Sequence, residues 1–161
     1  MNDVDDEPKP LSELLSPGST LMLSIDDGAS PLRFRPMTVA RVSGAAIEML
    51  LDTNEEWVQS LANPRLAYVT LSDTRHNTWA SLHGQASVSH DPALIDELWS
   101  PAADAYFDNG RETPGIAVLR VDGEEGRYWS SPAGRIGALI SMIKAKLGDP
   151  EESGEHGSIQ I

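Results

Sequence analysis

The residues best suited to chemistry in this sequence lie in one short run, residues 33–38. Arg33 and Arg35 are two positions apart, so on a β-strand they would share one face. In a chain with only 12 basic residues, such a pair is suited to holding an anion or a buried acid. Pro36 cannot donate to a strand ladder, which leaves backbone groups of its neighbours free to meet a ligand. The alternative is an edge strand that carries two surface arginines.

A second candidate is the turn at the end of a predicted strand, where Thr53 is followed by Asn54. A hydroxyl together with free backbone amides can form a small anion-binding nest at such a turn. The alternative is that Thr53 caps a short helix.

The third candidate is aromatic, because four of the nine aromatic residues are tryptophans. A flat heteroaromatic ligand would use such rings for stacking. Packing in a core or at a dimer interface is the alternative for each of them. The four are Trp57, Trp79, Trp99 and Trp129.

No part of the sequence matches a standard catalytic or metal-binding pattern. The four histidines show neither an HExxH pattern nor a paired spacing, so we predict no metal site. The absence of cysteine excludes thiol catalysis and cysteine-ligated metals. There is no GxSxG, GxGxxG or Walker sequence, and adjacent acids such as Asp26 and Asp27 are predicted to be solvated turn residues. Catalytic residues therefore stay unknown at this level.

The charge balance excludes several classes of partner. The 161 residues carry 25 acidic and 12 basic side chains, a net charge of −13. Such a chain repels phosphate overall, so we expect no nucleic-acid partner.

No run approaches the roughly 18 apolar residues of a membrane helix, and the acidic start MNDVDDEPKP does not have the order of a secretory signal. We therefore expect no membrane partner and a cytoplasmic location, with which the lack of cysteine is compatible.

Much of the acidity lies at the two ends. Residues 1–10 hold four acids, and residues 147–161 hold four more with no Lys or Arg. We predict a flexible acidic N-terminus over residues 1–10, one domain over 11–147 and an acidic C-terminal tail over 148–161.

Alternating and β-branched runs predict a mainly β domain with short helices. Seven runs are strand-like: 20–25, 32–42, 45–53, 65–72, 78–88, 116–121 and 127–129. Helices are predicted over 11–15, over 55–61, from Asp91-Pro92 to about residue 108, and after Ser131-Pro132. One domain with six or seven antiparallel strands and flanking helices favours a split β-barrel, with a β-sandwich as the alternative.

The order of these segments resembles the general stress proteins of the pyridoxamine 5'-phosphate oxidase-like family, the FMN-binding split barrels. The resemblance spans roughly residues 11–147. The pieces that carry it are Arg35-Pro36-Met37, Asn63-Pro64-Arg65, Ser81-Leu82-His83-Gly84-Gln85-Ala86, Leu98-Trp99-Ser100-Pro101, Tyr106-Phe107-Asp108-Asn109-Gly110, Leu119-Arg120-Val121 and Arg127-Tyr128-Trp129-Ser130.

The resemblance implies a homodimer with two flavin mononucleotide sites at the subunit interface. Arg35, Pro36, Met37 and Thr38 would then run along the isoalloxazine ring and the ribityl chain, and Thr53 would lie near the phosphate. The resemblance also implies that two tryptophans close the site, across the interface with the partner chain. These are Trp99 and Trp129.

One departure from the family pattern concerns the phosphate. Family members usually carry a serine and a lysine in a longer turn after the threonine, whereas this chain has Asn54-Glu55-Glu56 there, with Glu56 near the position of the lysine. A glutamate close to a dianionic phosphate repels it. Either an arginine such as Arg33, Arg35 or Arg135 compensates, or flavin binds weakly, or binding is lost.

Three functional hypotheses follow. The first is an FMN-dependent oxidoreductase in which the flavin passes hydride or electrons from a nicotinamide donor to an unknown acceptor. The second is a non-enzymatic dimeric binding protein on the same scaffold, with weakened or lost flavin binding. The third is a plain structural domain.

Overall fold

A computed structural model of the protein describes residues 8–28, 30–130 and 155–161. Nine strands are found in these ranges: β1 Lys9–Pro10, β2 Thr20–Ile25, β3 Arg35–Thr38, β4 Arg41–Ser43, β5 Ala46–Asp52, β6 Arg65–Asp73, β7 Thr78–Ser89, β8 Ile116–Ser130 and β9 Glu155–Gln160. Three α-helices, α1 Leu11–Leu14, α2 Pro92–Leu98 and α3 Pro101–Tyr106, accompany two 3-10 helices, Glu56–Ala62 and Gly110–Glu112.

The strands form one sheet that is antiparallel except for the pairing of β1 with β9. β2, β6, β7 and β8 pair successively, and β3 lies at the end of the order beside β2. Along one edge of β8, β5 pairs with residues 116–122 and β9 pairs with residues 127–130, so this edge is divided between two strands. The prediction of a mainly β antiparallel fold with flanking helices is confirmed.

Alternation along the strands explains the core, because successive side chains of a strand point to opposite faces. In β6, for example, Ala67, Val69 and Leu71 are buried while Thr70 is exposed. A second, smaller cluster joins α2 and α3 to the start of β8 through residues such as Leu98 and Phe107. No helix among the described residues is long and apolar enough to cross a membrane.

The predicted strand over 32–42 is wrong in its extent, because the chain changes partner in the middle of it. β3 pairs with β2, whereas β4 pairs with β5, and the change falls at Val39 and Ala40. Val39 N donates to Ser19 O at 2.8 Å, and Ala40 N donates to Glu48 O at 2.8 Å. The alternation of apolar and polar residues in the sequence does not indicate this change of pairing strand.

The single helix predicted from Asp91-Pro92 to about residue 108 is two helices. Asp91 caps α2 as predicted, accepting from Ala93 N at 3.0 Å. Trp99 and Ser100 are extended, and Ser100 Oγ accepts from Ala103 N at 3.3 Å to begin α3. The proline that follows Ser100 disfavours a helical conformation for it, and this breaks the helix although the apolar spacing continues.

Two further differences concern β8 and the C-terminal end. Residues 116–121 and 127–129 belong to one continuous strand, β8. Residues 155–160, within the stretch that we assigned to the acidic tail, form β9, in which Ile159 is buried. The helix predicted after Ser131-Pro132 lies outside the described residues.

Candidate functional site

A cavity of about 430 Å³ lies between β3 and the helices α2 and α3. Arg35, Pro36, Met37 and Thr38 form one wall, and their contact with a flavin stays a prediction. β3 pairs only with β2 among the described strands, so the backbone groups on its outer edge are available to a ligand. The volume is in the range of small-molecule and cofactor sites.

The opposite wall is helical and mostly apolar. α3 contributes Ala102, Ala103 and the largely exposed Tyr106, and α2 contributes Leu98. The ring of Phe107 also lines the cavity, and Tyr106 packs edge-on against it with the ring centroids 5.1 Å apart. Such a wall suits a flat apolar ligand and excludes water from it.

Arg35 is the cation of this cavity. Its guanidinium lies over the indole ring of Trp57, 4.0 Å from the ring centroid, and Trp57 also lines the cavity. The Nε atom of Arg35 is buried and has no hydrogen-bond partner among the described residues. Burial lowers the pKa of Arg35, and the charges of Glu55 and Asp27 partly oppose this effect. A buried donor without a partner is costly, so an acceptor from a ligand would be stabilised here.

Two carboxylates share the cavity with Arg35. Asp52 is held in its turn, because Oδ1 accepts from Asn54 N at 2.8 Å and from Asn54 Nδ2 at 2.7 Å. Glu55 lines the cavity with an exposed side chain, whereas the exposed Glu56 does not line it. Of the two adjacent acids Glu55 and Glu56, only Glu55 therefore lines the cavity.

The structure places Thr53 outside the cavity lining. Thr53 N and Thr53 Oγ1 both donate to Gly115 O at 2.8 Å, which ties the turn after β5 to the loop before β8. Gly115 has a φ of +84°, and a Cβ atom there would lie 2.9 Å from Thr53 Oγ1. The 3-10 helix that follows is flanked by Glu55, so Thr53 is not its cap. A phosphate-binding role for Thr53 stays a prediction.

The two tryptophans predicted to close the site lie elsewhere within one chain. Trp99 Nε1 donates to Asp104 Oδ1 at 2.8 Å, and its ring stacks on Phe107 with the centroids 5.6 Å apart. Trp129 is 46% exposed on β8, directly across from Trp79, which is 42% exposed. Neither Trp99 nor Trp129 lines the cavity of its own chain, so their roles stay predictions that require a partner chain.

Arg33 does not share the cavity with Arg35. It precedes β3 in an exposed, irregular segment, so the prediction of two arginines on one strand face is wrong.

Trp57 and the helical wall line the cavity, but the sequence did not single them out. The sequence identified Trp57 only as one of four candidate tryptophans. It gave no sign of the wall that α3 forms, because α3 reaches the cavity through tertiary packing.

An ionic network centred on the buried Glu48 links four elements. Glu48 of β5, 2% exposed, accepts from Arg41 Nε at 2.5 Å and from Arg120 Nη1 at 3.0 Å. Arg41 Nη1 also donates to Glu97 Oε1 of α2 at 2.5 Å. Burial alone would raise the pKa of Glu48, but the two arginines together hold it below its usual value. The ion pair between Arg41 and Glu97 connects α2 to β4 at the surface.

Comparison with known proteins agrees with this fold. The family described as pyridoxamine 5'-phosphate oxidase like matches residues 6–152. A protein of Jannaschia sp. CCS1 described as a general stress protein 26 is similar in structure, with a TM-score of 0.73 and 28% identity, over 89% of this chain and 90% of that one. The general stress FMN/FAD binding protein of Xanthomonas citri has a TM-score of 0.62 and 29% identity, over 70% and 80% of the two chains.

A curated relative is Protein bli-3 of Neurospora crassa, 25% identical over 138 residues. The alignment covers 80% of this chain and 66% of that relative, so the chain spans just under two thirds of the relative's length.

The fold is that of the split barrels, as predicted. The chain belongs to the pyridoxamine 5'-phosphate oxidase-like family, and its structural relatives are general stress proteins.

Proposed function

We propose that this protein binds FMN in the cavity beside β3, as a homodimer, and uses it in a redox reaction. The observation that carries the proposal is the buried Arg35 Nε, a donor without a partner among the described residues, at the wall of an apolar cavity. The FMN/FAD binding described for the Xanthomonas citri relative supports it. The lack of cysteine is compatible with action in a reducing cytoplasm.

The residues present fit the ring of a flavin better than its phosphate. The cavity has apolar walls and an edge strand that offers backbone groups, which together suit a flat ring with polar edges. The carboxylates of Glu55 and Asp52 in the same lining oppose a dianionic phosphate. We therefore expect the ring to supply most of the affinity.

In this proposal the protein binds, orients and shields, and the bound flavin supplies electron or hydride transfer between a nicotinamide donor and an acceptor. β3 holds the edge of the ring through its backbone, and the Arg35 guanidinium, which lies over the ring of Trp57, attracts an anionic group of the ligand. Ala102 and Tyr106, which are exposed in the single chain, would pack against the ring. Trp129, exposed on its own chain, would close the site of the partner chain.

The second candidate function is a non-enzymatic dimeric binding protein with weakened or lost flavin binding. Glu55 and Asp52 in the cavity lining favour it, because they reduce the attraction for an anionic ligand. The two functions differ in one measurable property, namely whether FMN binds at micromolar concentration.

Flavin binding is tested by titrating the protein into FMN and following the quenching of flavin fluorescence. We expect Arg35→Gln to weaken binding by about tenfold, because a charge-assisted donor is lost. The matched control is Arg33→Gln, which removes an exposed guanidinium outside the cavity and should change the affinity by less than about twofold. No quenching with the unmodified protein would contradict FMN binding and favour the second candidate.

The redox role and the dimer have separate tests. Anaerobic mixing of the FMN-loaded protein with NADH or NADPH should bleach the visible flavin band. A flavin that stays oxidised with both donors contradicts the nicotinamide donor.

Light scattering should give twice the chain mass of 17.4 kDa, and a mass of one chain contradicts the dimer.

A further inference from the structure

We infer that Glu55 is a specificity-determining residue that competes with anionic ligands for Arg35, and so shifts the cavity's preference from FMN toward an uncharged flavin such as riboflavin. The inference rests on the proposed flavin binding and goes beyond it, because it names the chemical class of ligand that the cavity favours.

The first step of the argument is the placement of charge in the cavity. Arg35 is the one cationic residue in the lining, as far as the described residues show. An anionic group that enters the cavity is therefore drawn to Arg35. Glu55 lines the same cavity, so both negative charges would depend on the same guanidinium.

The second step is that Glu55 acts electrostatically on Arg35. Among the charges that act on the Arg35 guanidinium, Glu55 has the largest effect, followed by Asp27 and then by Arg33. Asp52 also lines the cavity, so two carboxylates and one guanidinium line it among the described residues. A dianionic phosphate would make this imbalance larger, whereas an uncharged hydroxyl would not change it.

The third step is a comparison of Glu55 with its neighbour Glu56. Both are exposed carboxylates in consecutive positions, but only Glu55 lines the cavity. General repulsion by a chain of net charge −13 would act on FMN through both residues alike. An effect specific to Glu55 therefore reports the local competition and not the overall charge.

The experiment measures dissociation constants of FMN and of riboflavin for the unmodified protein, Glu55→Gln and the control Glu56→Gln. We expect Glu55→Gln to tighten FMN about fivefold and to leave riboflavin within about twofold, since one exposed charge is partly screened by water. Glu56→Gln should leave the ratio of the two constants unchanged. Raising the salt concentration should reduce the effect of Glu55→Gln on FMN.

A second variant tests the same charge effect with the opposite sign. Glu55→Lys reverses the charge and should favour FMN over riboflavin more than Glu55→Gln does, while circular dichroism checks that both variants are folded. The inference alone is overturned if both flavins bind but the two Glu55 variants leave their ratio unchanged, or if Glu56→Gln shifts it equally. If neither flavin binds to any variant, the proposed function is overturned together with the inference.

Discussion

At the scale of single residues, Glu48 and Arg35 are stabilised in different ways: Glu48 is buried, whereas Arg35 is partly exposed with a buried Nε. Removing a charge from water is costly unless partners replace the lost hydrogen bonds. Glu48 has two arginines on its carboxylate oxygens, whereas Arg35 has the face of Trp57 and a free Nε. Glu48 is thus satisfied within the chain, and Arg35 is left with capacity for a ligand.

The Glu48 network leads to a prediction on stability. Glu48→Gln removes the carboxylate from Arg41 and Arg120, which are 32% and 41% exposed, so water compensates for part of the loss. We expect the free energy of unfolding to fall by about 2 kcal/mol in a urea titration. Asp122→Asn, which removes a carboxylate that is 52% exposed from Arg120, serves as the control, with an expected change within about 0.5 kcal/mol. Equal losses in the two variants would contradict a special role for Glu48.

The same residue predicts how stability depends on pH. Burial raises the pKa of Glu48, but Arg41 and Arg120 outweigh this effect, so the pKa in the folded state is lowered. A lowered pKa stabilises the fold above the ordinary glutamate value of about 4.3, and this stabilisation is lost as the pH falls through the folded-state pKa. The difference in stability between the unmodified protein and Glu48→Gln should therefore shrink in acid. A difference that grows in acid would contradict the assignment.

At the scale of elements, β7 and β8 form the longest pairing, and one irregularity interrupts it. The register shifts between His83 and Gly84. His83 pairs with Glu125 and Gly84 pairs with Gly123, so Glu124 is an extra residue on β8 and forms a β-bulge. A Cβ atom on Gly84 would lie 2.8 Å from Gly123 Cα, within the backbone of the neighbouring strand. The bulge therefore requires glycine at position 84.

This requirement can be measured. Gly84→Ala should lower the free energy of unfolding by more than about 3 kcal/mol, because the methyl group meets backbone that cannot move aside. Gly44→Ala provides the comparison, since Gly44 has a φ of +58° but open space around it, and should cost about 1 kcal/mol. Similar losses in the two variants, measured by urea denaturation, would show that the close approach is not what matters.

The order of elements was largely predictable, and the places where prediction failed share a physical cause. β2 begins and ends as predicted because alternation and a following Asp-Gly turn are local signals. The change of partner at Val39 and the break at Ser100 depend on what packs nearby, and periodicity does not contain that information. In the site, the sequence predicted a strand that contains Pro36, although with wider bounds than β3, whereas the position of Trp57 over Arg35 depends on the fold.

At the scale of the whole molecule, residues far apart in sequence complete the sheet. β9 lies between β8 and β1, and Ile159 on it is 5% exposed. Ile159→Ala should lower the free energy of unfolding by about 3 kcal/mol, whereas Ile161→Ala, at a residue that is 43% exposed, should cost less than about 1 kcal/mol. Thermal or urea unfolding measures both. If Ile159→Ala costs no more than Ile161→Ala, residues 155–160 are not an integral strand.

The pairing of β1 with β9 also has a consequence for how the chain is made. Lys9 pairs with Ile159, which lies 150 positions further along the chain. During synthesis β1 cannot pair with β9 until residues 155–160 have left the ribosome, so this edge of the sheet closes only after all the strands from β1 to β8 have been translated. In refolding from denaturant, the same pairing requires closure of a very long loop, which is typical of late events in folding.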